Sequence, residues 1–280
     1  MSSTSTGTLY VVATPIGNLD DISPRACRVL DSVDLIAAED TRRTRGLLSK
    51  FGIKTPTISC HDHNEARQIP GLLERLHRGE SVALVSDAGT PLLSDPGLLL
   101  VRAAHDAGVP VVSVPGPSAL VAALSVAGES TDRFVFEGFL PRRTGPRRSR
   151  LKNLARETAT VVLYESVHRV RDTMADLLAQ FGSDRRASIV RELTKLHESV
   201  HRGTLGTLAE QLGGEIPLKG EFVLVVAGGD EKVGAGDEEI LRVFDLVSAE
   251  VSNRTAVTLT AKILGVSRNR VYRLTRDRPL

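Results

Sequence analysis

Short apolar runs alternate with segments whose apolar residues recur at helical spacing through the first half of the chain. The runs at 9–13, 34–38, 56–60, 81–85 and 109–114 predict strands, and segments such as 69–77 and 98–107 predict helices that stop at a glycine. That alternation calls for a mostly parallel sheet covered on both faces. After Gly128 the pattern changes. Strands are predicted over 133–140, 160–164, 187–191 and 221–227, with helices over 167–181 and 205–212, and the mixed connection lengths suit a partly antiparallel sheet. From 238 to 280 the pattern is helical throughout, and 258–272 reads as helix, glycine turn, serine cap and second helix, which is a helix-turn-helix. The expected organisation is a disordered tail (1–7), an N-terminal α/β domain (8–128), a C-terminal α/β domain with a mixed sheet (129–229), a flexible linker (230–237) and a small helical domain (238–280).

Charge changes this picture only locally. With 36 Lys+Arg against 34 Asp+Glu the net charge is +2, so any nucleic-acid signal has to lie in clusters. Cys27 and Cys60 cannot make a disulfide framework, and no charged start is followed by an apolar run, so a cytoplasmic protein is expected. The uncharged stretch 107–128 is interrupted by Gly108, Pro110, Pro115, Gly116 and Pro117, which leaves no helix long enough for a bilayer, and no membrane partner is expected.

Each strand of the first half runs into a conspicuous loop. In a parallel sheet these loops emerge at one carboxyl edge, where open α/β folds hold ligands. Gly17, Gly89 and Gly116 would each let backbone approach a ligand closely. The dinucleotide fingerprint G-x-G-x-x-G is missing, as is the phosphate-binding G-x-x-x-x-G-K-[ST], which argues against an oxidoreductase. A ligand without phosphates, held by backbone groups and one carboxylate such as Asp87, fits better. Cys60, His61 and His63 lie together, but no second Cys/His cluster stands at ligand spacing, and no metal is expected.

The loops themselves carry a resemblance. Thr14-Pro15-Ile16-Gly17-Asn18-Leu19 with Asp21, Ala38-Glu39-Asp40-Thr41-Arg42, His61-x-His63-Asn64-Glu65, Ser86-Asp87-Ala88-Gly89-Thr90-Pro91 with Asp95-Pro96-Gly97, and Val114-Pro115-Gly116-Pro117-Ser118-Ala119 together resemble the tetrapyrrole-methylase superfamily. Tyr164-Glu165-Ser166 with His168-Arg169, Arg191-Glu192-Leu193-Thr194-Lys195 and Lys219-Gly220-Glu221-Phe222 continue the likeness. Within the superfamily the chain is similar to the members that methylate a cytidine ribose 2′-hydroxyl of 16S rRNA, cytidine 1402 in conventional rRNA numbering.

The resemblance implies two α/β domains of the class III methyltransferase type and a homodimer acting on the small ribosomal subunit. It also implies S-adenosylmethionine as methyl donor, held near Pro15, Gly17, Asp87, Ala88, Gly89, Thr90, Ser118, Ala119, Tyr164 and Gly220. The chemistry then asks for alignment of a ribose hydroxyl with the methyl carbon and for removal of its proton. Candidates for the proton acceptor or for orienting the ribose are Asp40, His63, Glu65, Glu165 and His168, among which the sequence does not choose.

Arginines supply the RNA signal. Arg142, Arg143, Arg147, Arg148 and Arg150 crowd a segment read as a loop, a candidate phosphate clamp. Arg268, Arg270, Arg273 and Arg276 follow in the last predicted helix, mostly on one side, as a second grip. Few aromatics are present, so recognition through shape, phosphate and 2′-hydroxyl is expected rather than base stacking. The competing expectations are a tetrapyrrole (precorrin-type) C-methyltransferase, which would need neither arginine cluster, and a ligand-sensing DNA-binding regulator.

Overall fold

β1 (Leu9–Val12), β2 (Leu35–Ala38), β3 (Thr57–Ser59), β4 (Val82–Val85) and β5 (Val111–Val114) pair in the order β3-β2-β4-β1-β5, all parallel, in the computed structural model. The structure describes residues 6–229 and 236–276. Most of the expected linker and the first five residues of the expected tail lie outside them. Gly7, also assigned to the tail, is instead fixed: it is buried, and its N–H donates to the Leu76 carbonyl at 2.8 Å.

Helices α1 (Pro24–Ser32), α2 (Thr41–Lys50), α3 (Glu65–His77) and α4 (Leu98–Asp106) connect and cover this sheet, and α5 (Ala119–Ala127) leads out of it to the second. β2 and β4 are buried at every position because both faces are covered. Successive side chains alternate between two cores. Ile36, Ala38, Ala83 and Val85 join one, and Leu35, Ala37, Val82 and Leu84 join the other. α1 starts where Ser23 accepts the Ala26 N–H and Pro24 takes the first helical position.

The second sheet contains β6 (Phe134–Phe139), β7 (Thr160–Ser166), β8 (Arg186–Arg191), β9 (Ser199–Thr204) and β10 (Glu221–Val226) in the order β6-β7-β10-β8-β9. β6 and β7 are parallel and the other pairings antiparallel, so the sheet is mixed, as its spacing suggested. β9 was not predicted, since Ser-Val-His-Arg-Gly-Thr has too few apolar residues to signal a strand and pairs only along β8. Helices α6 (Thr144–Leu154), α7 (Val170–Phe181) and α8 (Leu205–Gln211) pack on one face. The other face is covered by α5, whose Leu120, Ala123, Leu124 and Ala127 join Val162, Val190, Val223 and Val225 in one core. The two sheets, expected as separate domains, therefore share one compact unit.

α6 corrects a reading. The arginine-rich segment is a helix rather than a loop, because Leu151 and Leu154 face the core and Arg147 reaches a buried acid. Arg147 Nε donates to Asp176 Oδ2 at 2.7 Å, with both side chains at most 6% exposed, and Arg148 Nε donates to the other oxygen at 2.6 Å. Arg150 forks onto Glu137 through two bonds of 2.6 Å.

The C-terminal residues make a second compact unit. In it α9 (Asp237–Ser248), α10 (Asn253–Leu264) and α11 (Arg268–Thr275) enclose Ile240, Phe244, Ala256, Val257, Ala261 and Val271. Gly265 turns the chain at φ +63°, and Ser267 caps α11 by accepting the Arg270 N–H, which gives the expected helix-turn-helix.

The buried ion pair yields a stability prediction. Burial opposes ionisation of Asp176, but the hydrogen bonds from Arg148 and Arg147 outweigh it and hold the carboxyl below its ordinary value. Asp176→Ala strands Arg147 and is expected to cost about 3–5 kcal/mol in urea unfolding. Because the folded-state pKa is depressed, the contribution is complete above the ordinary aspartate range and is lost as pH falls through it. The stability gap between wild type and Asp176→Asn should accordingly narrow on acidification.

Candidate functional site

The loops that leave the first sheet are tied to one another across its carboxyl edge. Thr14 after β1 and Gly89 after β4 exchange backbone hydrogen bonds of 2.9 and 3.0 Å, with Gly89 at φ +87°, where a side chain would be strained. The Thr90 hydroxyl donates to the Pro117 carbonyl after β5 at 3.0 Å. Toward β2, the Asp87 N–H donates to Glu39 Oε2 at 3.1 Å, the Asp40 N–H donates to Asp87 Oδ1 at 3.0 Å, and Arg43 stands 3.3 Å from Asp87 Oδ2.

These loops form one wall of a cavity of about 300 Å³, and the second sheet forms the other. Asp87, Ala88, Gly89, Thr90, Ser118, Ala119 and Tyr164, all named from the sequence, line it. Phe139, Phe222 and Val223 add apolar surface from the second sheet. Tyr164 is set by edge-on contacts with Phe136 and Phe139 at 4.9 and 5.7 Å. Burial pushes its phenol up to about 12, so it stays protonated. A backbone-rich wall facing an aromatic and aliphatic one suits a flat heterocycle with a polar tail.

Other expected residues lie elsewhere. Pro15 is buried behind the β1 loop. Gly17 lies under the Lys195 side chain, where a Cβ would collide, and Gly220 at φ +84° makes room for Glu192 in the same way. Both serve a latch in which the Thr194 hydroxyl accepts the Asn18 N–H at 3.1 Å and Lys195 Nζ bridges Glu192 and Glu221 at 2.8 Å each.

Of the five proton-transfer candidates, Glu165 alone borders the cavity. Asp40 caps α2 and is gripped by the Arg42 side chain and amide, which draw its carboxyl down to about 2. Glu65 is buried and accepts the Leu100 N–H at 2.8 Å, capping α4. His63 is exposed against the His61 ring, and His168 is exposed on the turn after β7.

Acidic groups missed by the sequence reading are Glu39, Asp95 and Glu221, all on the cavity wall. Burial raises the Glu39 carboxyl, opposed by the Asp87 N–H and assisted by Asp87 and Asp62. The Asp95-Pro96-Gly97 motif was a usable signal for Asp95, whereas Phe139 and Phe222 depend on how the sheets meet. Among the described residues no three His, Cys, Asp or Glu side chains gather as a metal site. Burial, with Glu65 adding to it, pushes the Cys60 thiol up to about 11, far from a thiolate ligand.

The arginines divide by environment. Arg142 and Arg143 are exposed at the start of α6, Arg148 is exposed though bonded to Asp176, and Arg150 is engaged with Glu137. Arg147 is a buried structural residue, which corrects its assignment to RNA. In the C-terminal unit Arg268, Arg273 and Arg276 are exposed, while Arg270 is half-buried and donates to Asp237 at 2.8 Å.

Comparison with known proteins agrees with this arrangement. Residues 8–209 match the family model of Tetrapyrrole (Corrin/Porphyrin) Methylases, and residues 234–275 match the RsmI C-terminal HTH domain. The chain is 50% identical to ribosomal RNA small subunit methyltransferase I of Xylella fastidiosa strain Temecula1, over 95% of this chain and 98% of that protein. It is likewise 50% identical to the protein of the same name from Pseudomonas aeruginosa, over 96% of each. Its fold is similar to uroporphyrin-III C-methyltransferase from Thermus thermophilus, solved with S-adenyl homocysteine, at a TM-score of 0.57 and 20% identity over 79% of this chain and 97% of that one. The chain belongs to the tetrapyrrole methylase family, in its ribosomal RNA small subunit methyltransferase I branch.

Proposed function

We propose that this protein transfers the methyl group of S-adenosylmethionine to the ribose 2′-hydroxyl of a cytidine in 16S rRNA, on the small ribosomal subunit. The observation that carries the reading is likeness along the whole chain: both family models match in order, and relatives at 50% identity span about 95% of it. The family resemblance adds cytidine 1402 as the target, a homodimer as the working form and the cytoplasm as its place. No helix among the described residues is long and apolar enough to cross a membrane.

When bound, the donor supplies a methyl group on a sulfonium, which is already a good leaving group. What is asked of the chain is therefore mainly placement. The Ala88–Thr90 backbone, opened by Gly89, would hold polar edges of the donor, and Asp87 would offer it a carboxylate. Phe222, Phe139 and Tyr164 supply the apolar surface of the opposite side. Arg142 and Arg143 in the first unit, and Arg268 and Arg273 in the helical unit, supply cationic groups for phosphates. The helical module and these arginines favour RNA over a small macrocycle as acceptor.

Two experiments follow. Small subunits lacking 2′-O-methylation should accept labelled methyl from S-adenosylmethionine, and the label should map to a cytidine ribose; transfer to a base, or none, would refute the reading. Asp87→Ala should weaken S-adenosylhomocysteine binding in calorimetry by about tenfold or more, the loss of one charge-assisted contact. The double change Arg142→Glu with Arg143→Glu should leave that binding intact and weaken subunit binding, lowering the salt slope by about 1 per arginine. Arg147 is unsuitable for this test, since its loss would destabilise the fold.

A further inference from the structure

The stretch between Thr41 and Cys60 carries Arg42, Arg43, Arg45, Lys50 and Lys54 and no acidic residue, on a chain whose net charge is +2. All five cationic residues are exposed. The cluster is separate from the arginines of α6 and α11, and the cavity touches only its edge, at Arg43. Fold stability does not call for it. Arginines in the first turn of α2 oppose the helix dipole, which favours acids there, and that turn has none. Lys50, in the last turn, has the favourable sign.

These cations are laid out as a line. Arg43 Nη1 lies 3.3 Å from Asp87 on the cavity wall, and Arg42 forks back onto Asp40 at 3.2 and 2.9 Å. The two arginine side chains are 71% and 87% exposed, so these ion pairs contribute little to stability and leave guanidinium donors for another anion. Further along α2, Arg45 Nε donates to the Thr57 hydroxyl at 3.1 Å, which holds the guanidinium on the wall of a groove of about 590 Å³. Ser49, Gly52 and Lys54 also line it, and no acidic side chain does among the described residues. The chain reverses there in a fixed way. Gly52, at φ +71°, donates to the Ser49 carbonyl at 3.3 Å and Ile53 to the Leu48 carbonyl at 3.0 Å, a Schellman turn whose Leu48 and Ile53 join the core. Lys54 is thereby brought back beside the end of α2.

We propose that α2 and this groove carry the backbone of the acceptor RNA beside the ribose that is methylated, a reading that rests on the function proposed above. The acceptor hydroxyl has to reach the cavity, so the phosphates flanking it leave across the rim, and Arg43 starts the line of cations at that rim. From Arg42 to Lys50 the helix advances about 12 Å. At about 3.4 Å per nucleotide of a stacked strand, that length accommodates about three phosphates. Arginine and lysine hold phosphates without reading bases, so the track sets the register of the strand rather than its sequence. An anionic membrane is the competing partner for exposed cations. A line that starts at the cavity and enters a groove matches a strand rather than a plane.

The test uses the full-length protein and small subunits lacking 2′-O-methylation. Arg45→Glu with Lys54→Glu reverses two cations of the groove, neither of which borders the cavity. Subunit affinity in filter binding should fall by about tenfold or more, and the salt slope by about 1 per cation. S-adenosylhomocysteine affinity and the thermal midpoint should match wild type. Arg45→Lys with Lys54→Arg, which keeps both charges, should retain the slope. A photo-crosslinking residue in place of the exposed Ser49 should attach to 16S rRNA within a few nucleotides of the methylated cytidine.

Unchanged affinity and slope in the charge-reversed protein would overturn the track, as would crosslinks confined to protein or to rRNA remote from that cytidine. So would lost binding to vesicles of anionic lipid with subunit binding intact, which would make the groove a membrane contact. If the wild type binds subunits through this groove but transfers no methyl to them, the proposed function falls while the RNA contact stands.

Discussion

Helix α5 follows the last strand of the first sheet and lays its apolar face on the second, and that contact decides where the chemistry of both halves meets. Leu120, Ala123, Leu124 and Ala127 pack on Val162, Val190, Val223 and Val225, and each leucine buried in this way contributes about 2 kcal/mol. The same helix begins directly after Ser118, so the contact that joins the halves also sets the β5 loop beside Tyr164. Sliding α5 along the second sheet would separate the backbone wall of the cavity from its aromatic wall. The Asn18–Thr194 bond, beside the Lys195 side chain packed on Gly17, adds a second tie between the halves.

Within that frame the site trades stability for chemistry. Left-handed Leu92 and Ser94 and the carboxylates of Glu39 and Asp95, both raised by burial, are each unfavourable locally. A surface rich in unbalanced negative charge suits a ligand that arrives with a positive one, and the sulfonium donor is such a ligand. Stability is made up elsewhere, in the doubly covered strands β2 and β4, whose every residue is buried.

The parallel sheet was legible because its strands are short apolar runs, and its loops were legible because glycine, proline and acidic residues punctuate them. Seven of the ten donor-site residues named from the sequence border the cavity, since they sit at strand ends where topology alone places them. What was not legible depended on long-range pairing. Arg147 reads as a surface cation until α7 brings Asp176 to it, and Glu65 reads as a catalytic acid until α4 offers the Leu100 N–H. Gly17 and Gly220 carry the motif signature of a ligand loop but yield space to Lys195 and Glu192. Local pattern identifies which residues are unusual, whereas the partner that explains them lies well beyond the local window, 29 positions away for Arg147 and 35 for Glu65.

The margins of the sheets have a bearing on the crowded chain. An open sheet leaves rows of unpaired amides and carbonyls that can template pairing with another molecule. Here β3 is three residues long, β6 is broken at Gly138, and β9 bears Arg202, whose guanidinium turns back to the Gly128 carbonyl. Short, kinked or charged borders of this kind discourage edge-to-edge association, so a chain with two sheets and several free margins can fold beside its own copies without knitting into aggregates.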